Sequence, residues 1–267
     1  MKIFDSHCHL DDSCYKNDFD EVIKNANKNN VVRFMTVGTD KYSSSKAVKL
    51  AEKTDGCFAA LGVHPHFAKD CSESIIEYFK ELAKNEKVKA IGEIGLDFNR
   101  MFSPKEDQEK WFVKQLEAAK ELNLPVIFHE RDSKRRFYEI LKANFKTSLK
   151  DGQKGVVHCF SGDKYELEKY LEMGLYIGIT GIVTIKQRGA KLRELIHFIP
   201  ENRILIETDA PYLTPAPQKN KTRRNEPAFV KSVLLKIAEV KKEDPEKLSE
   251  IIWENTCRLF EIDKIGA

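Results

Sequence analysis

Eight short apolar runs, each followed by a longer amphipathic stretch, recur from one end of this chain to the other, and that alternation limits the folds open to it. Residues 3–6, 31–38, 57–63, 88–95, 125–128, 155–157, 175–180 and 204–206 read as strands from their apolar and β-branched content. Helices are expected over 17–30, 43–54, 73–85, 105–122, 133–145 and 188–197, and the tail over 227–262 reads as two or three more. The stretch 105–122 is the best signalled: Ser103 is placed to cap it, Pro104 suits its first turn, and Trp111, Gln115, Ala118 and Leu122 fall on helical spacing. Within 267 residues free of low-complexity tracts, this alternation predicts an α/β chain folded as a single-domain (β/α)8 TIM barrel over residues 1–267. A doubly wound open sheet is the alternative, but no glycine-rich phosphate loop follows the first strand.

The strands are apolar until their last residues, where they turn polar. His7 and His9 follow strand one, His64 and His66 follow strand three, and Glu93 ends strand four. His129, His158 and Asp209 end strands five, six and eight, so that only His197 among the histidines sits on a helix. In a closed barrel these strand ends meet on one face, where enzymes of this architecture build their active sites. In extended backbone, residues two apart share a side, so His7 and His9 can aim at one ion while Cys8 faces away.

Five imidazoles and two carboxylates exceed one closed tetrahedral site, and the lack of paired cysteines argues against structural zinc. A bridged centre of two divalent ions fits better. Glu93 suits the bridge, because one carboxylate offers an oxygen to each ion; His129 and His158 would complete the second ion, and Asp209 the first while holding the nucleophilic water. Imidazole suits zinc and carboxylate-bridged sites also use magnesium or manganese, so the metal stays open.

Charged residues make up 33% of the chain and the net charge is +3, so binding of nucleic acid would rest on local basic clusters. Two follow strands on the functional face: Arg131, Lys134, Arg135 and Arg136 after strand five, and Lys219, Lys221, Arg223 and Arg224 after strand eight. Phe67, Phe98, Phe160 and Tyr212 lie near them as stacking candidates, with core packing the competing role for Phe160. No apolar run approaches the roughly 20 residues of a membrane span. The six scattered cysteines point to free thiols in a reducing cytoplasm, and nothing calls for an obligate protein partner.

Five blocks resemble the TatD family of metal-dependent deoxyribonucleases, a branch of the amidohydrolase-like barrels. They are Asp5-Ser6-His7-Cys8-His9-Leu10-Asp11, Gly62-Val63-His64-Pro65-His66, Gly92-Glu93-Ile94-Gly95-Leu96-Asp97, His158-Cys159-Phe160-Ser161-Gly162 and Glu207-Thr208-Asp209-Ala210-Pro211-Tyr212-Leu213. The resemblance runs over essentially the whole chain. It implies a DNA substrate, cut by several members as 3′-to-5′ exonucleases on single strands or ends, an activity suited to DNA repair. It implies His7, His9, Glu93 and Asp209 on one metal and Glu93, His129 and His158 on the other. His64 would face the scissile phosphate, and Arg131, Arg223, Arg224 and Asn225 would contact substrate. Phe98 stands where the family usually has tyrosine, and Lys221 stands for an upstream arginine of the Arg-Asn-Glu-Pro motif. An amide or ester hydrolase, such as an aminoacyl-tRNA deacylase, would use the same centre, and a binding protein without turnover is a third reading.

Overall fold

Strand and helix alternate through the computed structural model, which describes residues 1–145 and 152–263. The strands are β1 (Ile3–Cys8), β2 (Val31–Val37), β3 (Cys57–Leu61), β4 (Val88–Asp97), β5 (Val126–Arg131), β6 (Gly155–Val157), β7 (Tyr176–Ile179) and β8 (Ile204–Ile206). Between and after them lie α1 (Phe19–Lys28), α2 (Lys41–Lys53), α3 (Glu73–Leu82), α4 (Lys105–Glu121), α5 (Arg135–Asn144), α6 (Lys164–Glu172), α7 (Ala190–Ile196), α8 (Ala216–Lys219), α9 (Val230–Lys241) and α10 (Pro245–Phe260). All neighbouring strands pair in parallel in chain order, from β1 to β8. The expected (β/α)8 barrel is the fold.

Its seam closes at the mouth. Cys8 bridges Ala210, His9 N donates to Ala210 O at 2.7 Å, and Asp209 N donates to His7 O at 2.9 Å. Below them Ser6 Oγ donates to Ile206 O at 3.0 Å.

Each strand sends an apolar side chain inward: Phe4, Met35, Ala60, Ala90, Ile127, Val156, Tyr176 and Leu205 form one cluster. The C-terminal helix α10 plugs the bottom of this cluster with Trp253 and Phe260, whose rings lie 6.1 and 6.2 Å from that of Phe4. Burying aromatics of this size contributes roughly 1.5–3 kcal/mol each. The opposite faces of the strands pack a second, larger cluster against the helices.

Helix α4 holds the ends of two strands through buried amides. Gln115 Oε1 accepts Val63 N at 2.7 Å while its Nε2 donates to Val63 O at 3.1 Å. Gln108 does the same for Asp97, at 2.8 and 3.2 Å. The expected cap is corrected here: Pro104, not Ser103, occupies the N-cap of α4. Ser103 Oγ is committed elsewhere, donating to His66 O at 2.9 Å and accepting Lys69 N at 3.1 Å. All six cysteines are free. Among the described residues, no helix is long and apolar enough to cross a membrane.

Candidate metal centre and the cavity above it

Three backbone devices turn side chains into the mouth. On β1, strict alternation from the inward Phe4 would send His7 outward; the register shift between Asp5 and Cys8 re-aims it. His7 and His9 then share a side, their Nε2 atoms 3.4 Å apart. Cys8 faces away as expected, buried in the helix-facing cluster with Sγ donating to Met35 O at 3.4 Å. On β4, a register shift between Ile91 and Ile94 carries Glu93 inward although Ala90 already points there. Gly92 gives it room: a Cβ at this position would stand 2.6 Å from the Cβ of Ile127. Beyond β8 the chain reaches Asp209 in the left-handed region, at φ 55°. His129 and His158 need no such device, lying two residues past the inward Ile127 and Val156.

Glu93 is the hub. Its Oε1 lies 2.6 Å from His129 Nδ1, 2.8 Å from His158 Nε2 and 3.5 Å from His64 Nε2. Its Oε2 lies 3.6 Å from His7 Nε2. Asp209 Oδ1 lies 3.4 Å from His9 Nε2 and 3.8 Å from His7 Nε2. Burial opposes charge on Glu93, but the surrounding imidazoles of His158, His64 and His129 hold its carboxyl well below the usual range. Asp209 is likewise held low against the cost of burial, chiefly by His9. His129 and His158 go the other way, raised despite burial by Glu93 above all.

Which nitrogen of each ring faces the cluster follows from what holds the other. His9 Nδ1 sits 2.8 Å from Val37 O, to which it can only donate, leaving the Nε2 lone pair inward. His129 Nε2 lies 3.3 Å from Asp97 Oδ2, leaving Nδ1 inward. His158 Nδ1 is 3.3 Å from Glu207 Oε1, near enough for charge attraction though off the line of a hydrogen bond. His64 differs: its Nδ1 accepts His66 N at 3.0 Å, so the proton of the neutral ring sits on Nε2. Burial and the neighbouring His129 push the pKa of His64 down to about 4.

Ligand-capable atoms converge in three overlapping triads: His7–Glu93–His158, His7–His9–Asp209 and His64–Glu93–His129, each within 4.8 Å. Imidazole nitrogens facing one another at 3.4 Å repel unless a proton or a cation stands with them, and the buried His7 Nδ1 has no partner among the described residues. This donor set fits divalent metal ions.

Two acids with no role expected from sequence stand behind the rings. Asp97 is buried; its Oδ2 takes His66 Nε2 at 2.8 Å as well as His129, and its Oδ1 accepts Asn99 N and Arg100 N at 3.0 and 2.8 Å. Glu207 is buried beside His158 and accepts Cys159 N at 2.5 Å. Both end strands, the signal that singled out the other site residues.

Above the cluster opens a cavity of about 1220 Å³ whose wall includes Arg100, Arg131, Lys134, Arg188 and Lys191. None of these cations has an ion-pair or hydrogen-bond partner for its side chain among the described residues. The acids in the same wall are engaged: Glu130 accepts from Ser133 N and Oγ at 3.0 and 2.8 Å, and Asp132 from Asn99 Nδ2 at 2.6 Å. Asp163 and Glu166 cap α6 through each other's backbone. Arg136, from the expected strand-five cluster, is tied to Glu109 by two bonds of 2.8 and 2.6 Å.

Residues of the strand-eight cluster are engaged within the protein. The Arg224 guanidinium spans both oxygens of Asp18 at 2.9 and 2.6 Å, donates to Cys14 O at 2.9 Å and lies over the Tyr15 ring. Asn225 is buried, its Nδ2 donating to Thr208 O and Tyr212 O at 2.9 and 2.6 Å. Arg223 is exposed, and none of the three belongs to the cavity wall. Phe160 is core, edge-on to Tyr170, and Phe98 packs partly buried under the Lys105 ammonium. Phe67 and Tyr212 do line the cavity.

Comparison with known proteins agrees with this geometry. The family model of TatD-related DNases matches residues 4–261. The "3′-5′ ssDNA/RNA exonuclease TatD" of Rahnella is 43% identical over 261 residues, covering 97% of this chain and 98% of its own length. An uncharacterized metal-dependent hydrolase of Bacillus subtilis, YabD, is 40% identical, covering 98% of this chain and all of its own. Among solved structures, the TatD homologue YjjV of Escherichia coli superposes with a TM-score of 0.86 at 28% identity, over 98% of each chain. This chain belongs to the TatD-related DNase family.

Proposed function

We propose that the chain is a metal-dependent nuclease that hydrolyses phosphodiester bonds of single-stranded DNA from the 3′ end. The observation that carries this reading is the junction of the two halves of the cavity. A buried carboxylate ringed by imidazoles forms the floor, and five unpaired cations stand in the wall. The name of the Rahnella relative supports the substrate and the direction of attack. RNA, which that name includes, is a second substrate to test. The aminoacyl-linkage reading finds no support among the relatives.

In this reading His7, His9, Asp209 and Glu93 would hold one divalent ion, and Glu93, His129 and His158 would hold a second. When bound, such a pair would supply water acidity at neutral pH and offset negative charge developing on phosphate oxygens. The remaining work belongs to the side chains. Asp209, held ionised among imidazoles, accepts the proton of the attacking water. His64 presents its Nε2–H toward a phosphate oxygen; its neutral tautomer suits donation better than ligation. Asp97 and Glu207 fix the rings of His129 and His158. Arg131, Lys134, Arg188 and Lys191 hold the phosphates leading to the site. The six free thiols accord with a reducing compartment.

A 3′-labelled single-stranded oligonucleotide tests the reading. Hydrolysis should release the label in its first step as a mononucleotide, stop with chelator and resume with added divalent metal. Elemental analysis should give two metals per chain, and one in the double variant His129→Ala with His158→Ala. Persistent cleavage in chelator, or release only of internal fragments, would refute the mechanism or the direction respectively.

A further inference from the structure

Exposed apolar side chains are not spread evenly over this protein. Of the eight large hydrophobics exposed among the described residues, Phe67 and Tyr212 line the cavity and Phe102 stands against His66 in its wall. Scattered single exposures are ordinary on a protein surface; a concentration at one opening is not.

The rings are also held in place. The loop carrying Phe102 is pinned at both ends by buried residues. Asp97 Oδ1 accepts Asn99 N and Arg100 N at 3.0 and 2.8 Å, and Ser103 is tied to His66 O and Lys69 N at 2.9 and 3.1 Å. Between the anchors, Phe102 stands 57% exposed, edge-on to the His66 ring at 4.8 Å. Phe67 lies in the turn Pro65–Asp70 that follows His64, on the same side of the mouth. Tyr212 faces them from beyond β8, 55% exposed and edge-on to the His9 ring at 6.0 Å. Its backbone is fixed by Asn225 Nδ2 on Tyr212 O and by Tyr212 N on Asp209 O, at 2.6 and 2.8 Å. The strand order sets β4 and β8 on opposite sides of the barrel, so the two aromatic edges face each other across the metal floor. The unpaired cations fill the arc between them, from the ends of β4 and β5 to the loop after β7.

We infer that Phe67 with Phe102 on one side, and Tyr212 on the other, are stacking platforms for unpaired bases flanking the scissile phosphate, and so determine selection of single strands. The inference rests on the nuclease reading above and names what that reading leaves open. Cations along one arc take the phosphates of a strand crossing the mouth; its bases then project toward the aromatic edges. A base inside a duplex keeps both faces covered by its neighbours and offers no face to a ring, whereas an unpaired base offers one. Tyr212 and Phe102 are specificity-determining residues here, not catalytic ones.

The test compares two single-stranded oligonucleotides of one length, one ordinary and one with abasic sites at its three terminal nucleotides. They share phosphates and differ in bases alone. The metal-loaded parental protein should prefer the ordinary strand in kcat/KM by about tenfold or more, the scale of base–aromatic stacking, with most of the difference in KM. Tyr212→Ala, and Phe67→Ala combined with Phe102→Ala, should bring that ratio toward one. Tyr212→Leu and Phe102→Leu keep apolar bulk without a π face and should behave like the alanine variants; Tyr212→Phe should keep the parental ratio. Discrimination as strong in the alanine and leucine variants as in the parent would overturn the platforms while leaving the nuclease reading intact. A parental protein that cleaves neither strand would remove the nuclease reading, and this inference with it.

Discussion

Asp97→Asn is the substitution whose outcome depends most on how the centre is held. The carboxylate receives two backbone N–H groups on Oδ1, and the Nε2 atoms of His66 and His129 on Oδ2. Asparagine keeps one acceptor oxygen. With that oxygen on Asn99 N and Arg100 N, which hold the loop, the amide NH2 faces two ring nitrogens. His129 must then accept at Nε2, which moves its proton to Nδ1, the atom aimed at Glu93 from 2.6 Å. The ring so flipped cannot offer Nδ1 to a metal. Loss of such a supporting carboxylate typically costs 10–100-fold in metal affinity or activity, equivalent to about 1.4–2.8 kcal/mol at 1.4 kcal/mol per decade. Stability should fall as well, because one charge-assisted hydrogen bond of 2.8 Å is exchanged for a mismatched pair; about 1–2 kcal/mol is the expected scale, or a Tm lowered by roughly 2–8 °C. Competition titration with a metal chelator, kcat at saturating metal and a thermal scan of the metal-free chain measure the three effects separately. Metal affinity and turnover within twofold of the parent would refute the argument that Asp97 sets the His129 tautomer.

Glu93→Gln removes the charge that serves two cations at once; turnover should be nearly abolished with the circular dichroism spectrum unchanged, and activity within a few-fold would exclude the bridging role. Asp209→Asn should lower single-turnover cleavage by ~10²–10⁴-fold, the range for a lost general base, with oligonucleotide affinity largely kept. Arg131→Ala with Arg188→Ala should weaken binding and flatten its dependence on salt by about one unit of slope for each phosphate no longer neutralised. Arg224→Ala should leave that slope as it was and instead lower the melting temperature, since its guanidinium is taken up by Asp18, Cys14 and Tyr15. An unchanged Tm with a shallower salt slope for Arg224→Ala would restore it to substrate binding.

Sequence and structure part company where backbone irregularity or loop path decides the outcome. The barrel is legible because each strand–helix unit announces itself locally, and the clustered residues because polar side chains interrupt apolar runs at one end of every unit. His129 and His158 follow simple alternation from Ile127 and Val156. Glu93 does not, and its inward aim depends on the register shift at Gly92, which no period of two foretells. Arg224 and Asn225 escape prediction for another reason. Charge composition says that a segment is basic, not that an acid beside α1, over two hundred residues earlier, is waiting for it. Arg188 and Lys191 belong to a basic stretch, Lys186 to Arg193, spaced more thinly than the other two basic clusters, and the turn after β7 brings them to the cavity. Ser103 shows the same limit on a small scale, a good capping residue claimed instead by His66 and Lys69.

The seam of the barrel has a bearing on when this protein becomes active. His7 and His9 are made well before Asp209 and Ala210, yet the backbone that fixes them bonds to these residues, some two hundred positions later. Pairings that distant form late, after the intervening loops have closed. A growing polypeptide therefore carries five imidazoles and a glutamate with no assembled centre until its last strand docks beside its first. A chain truncated before Asp209 should therefore bind metal poorly and cleave nothing.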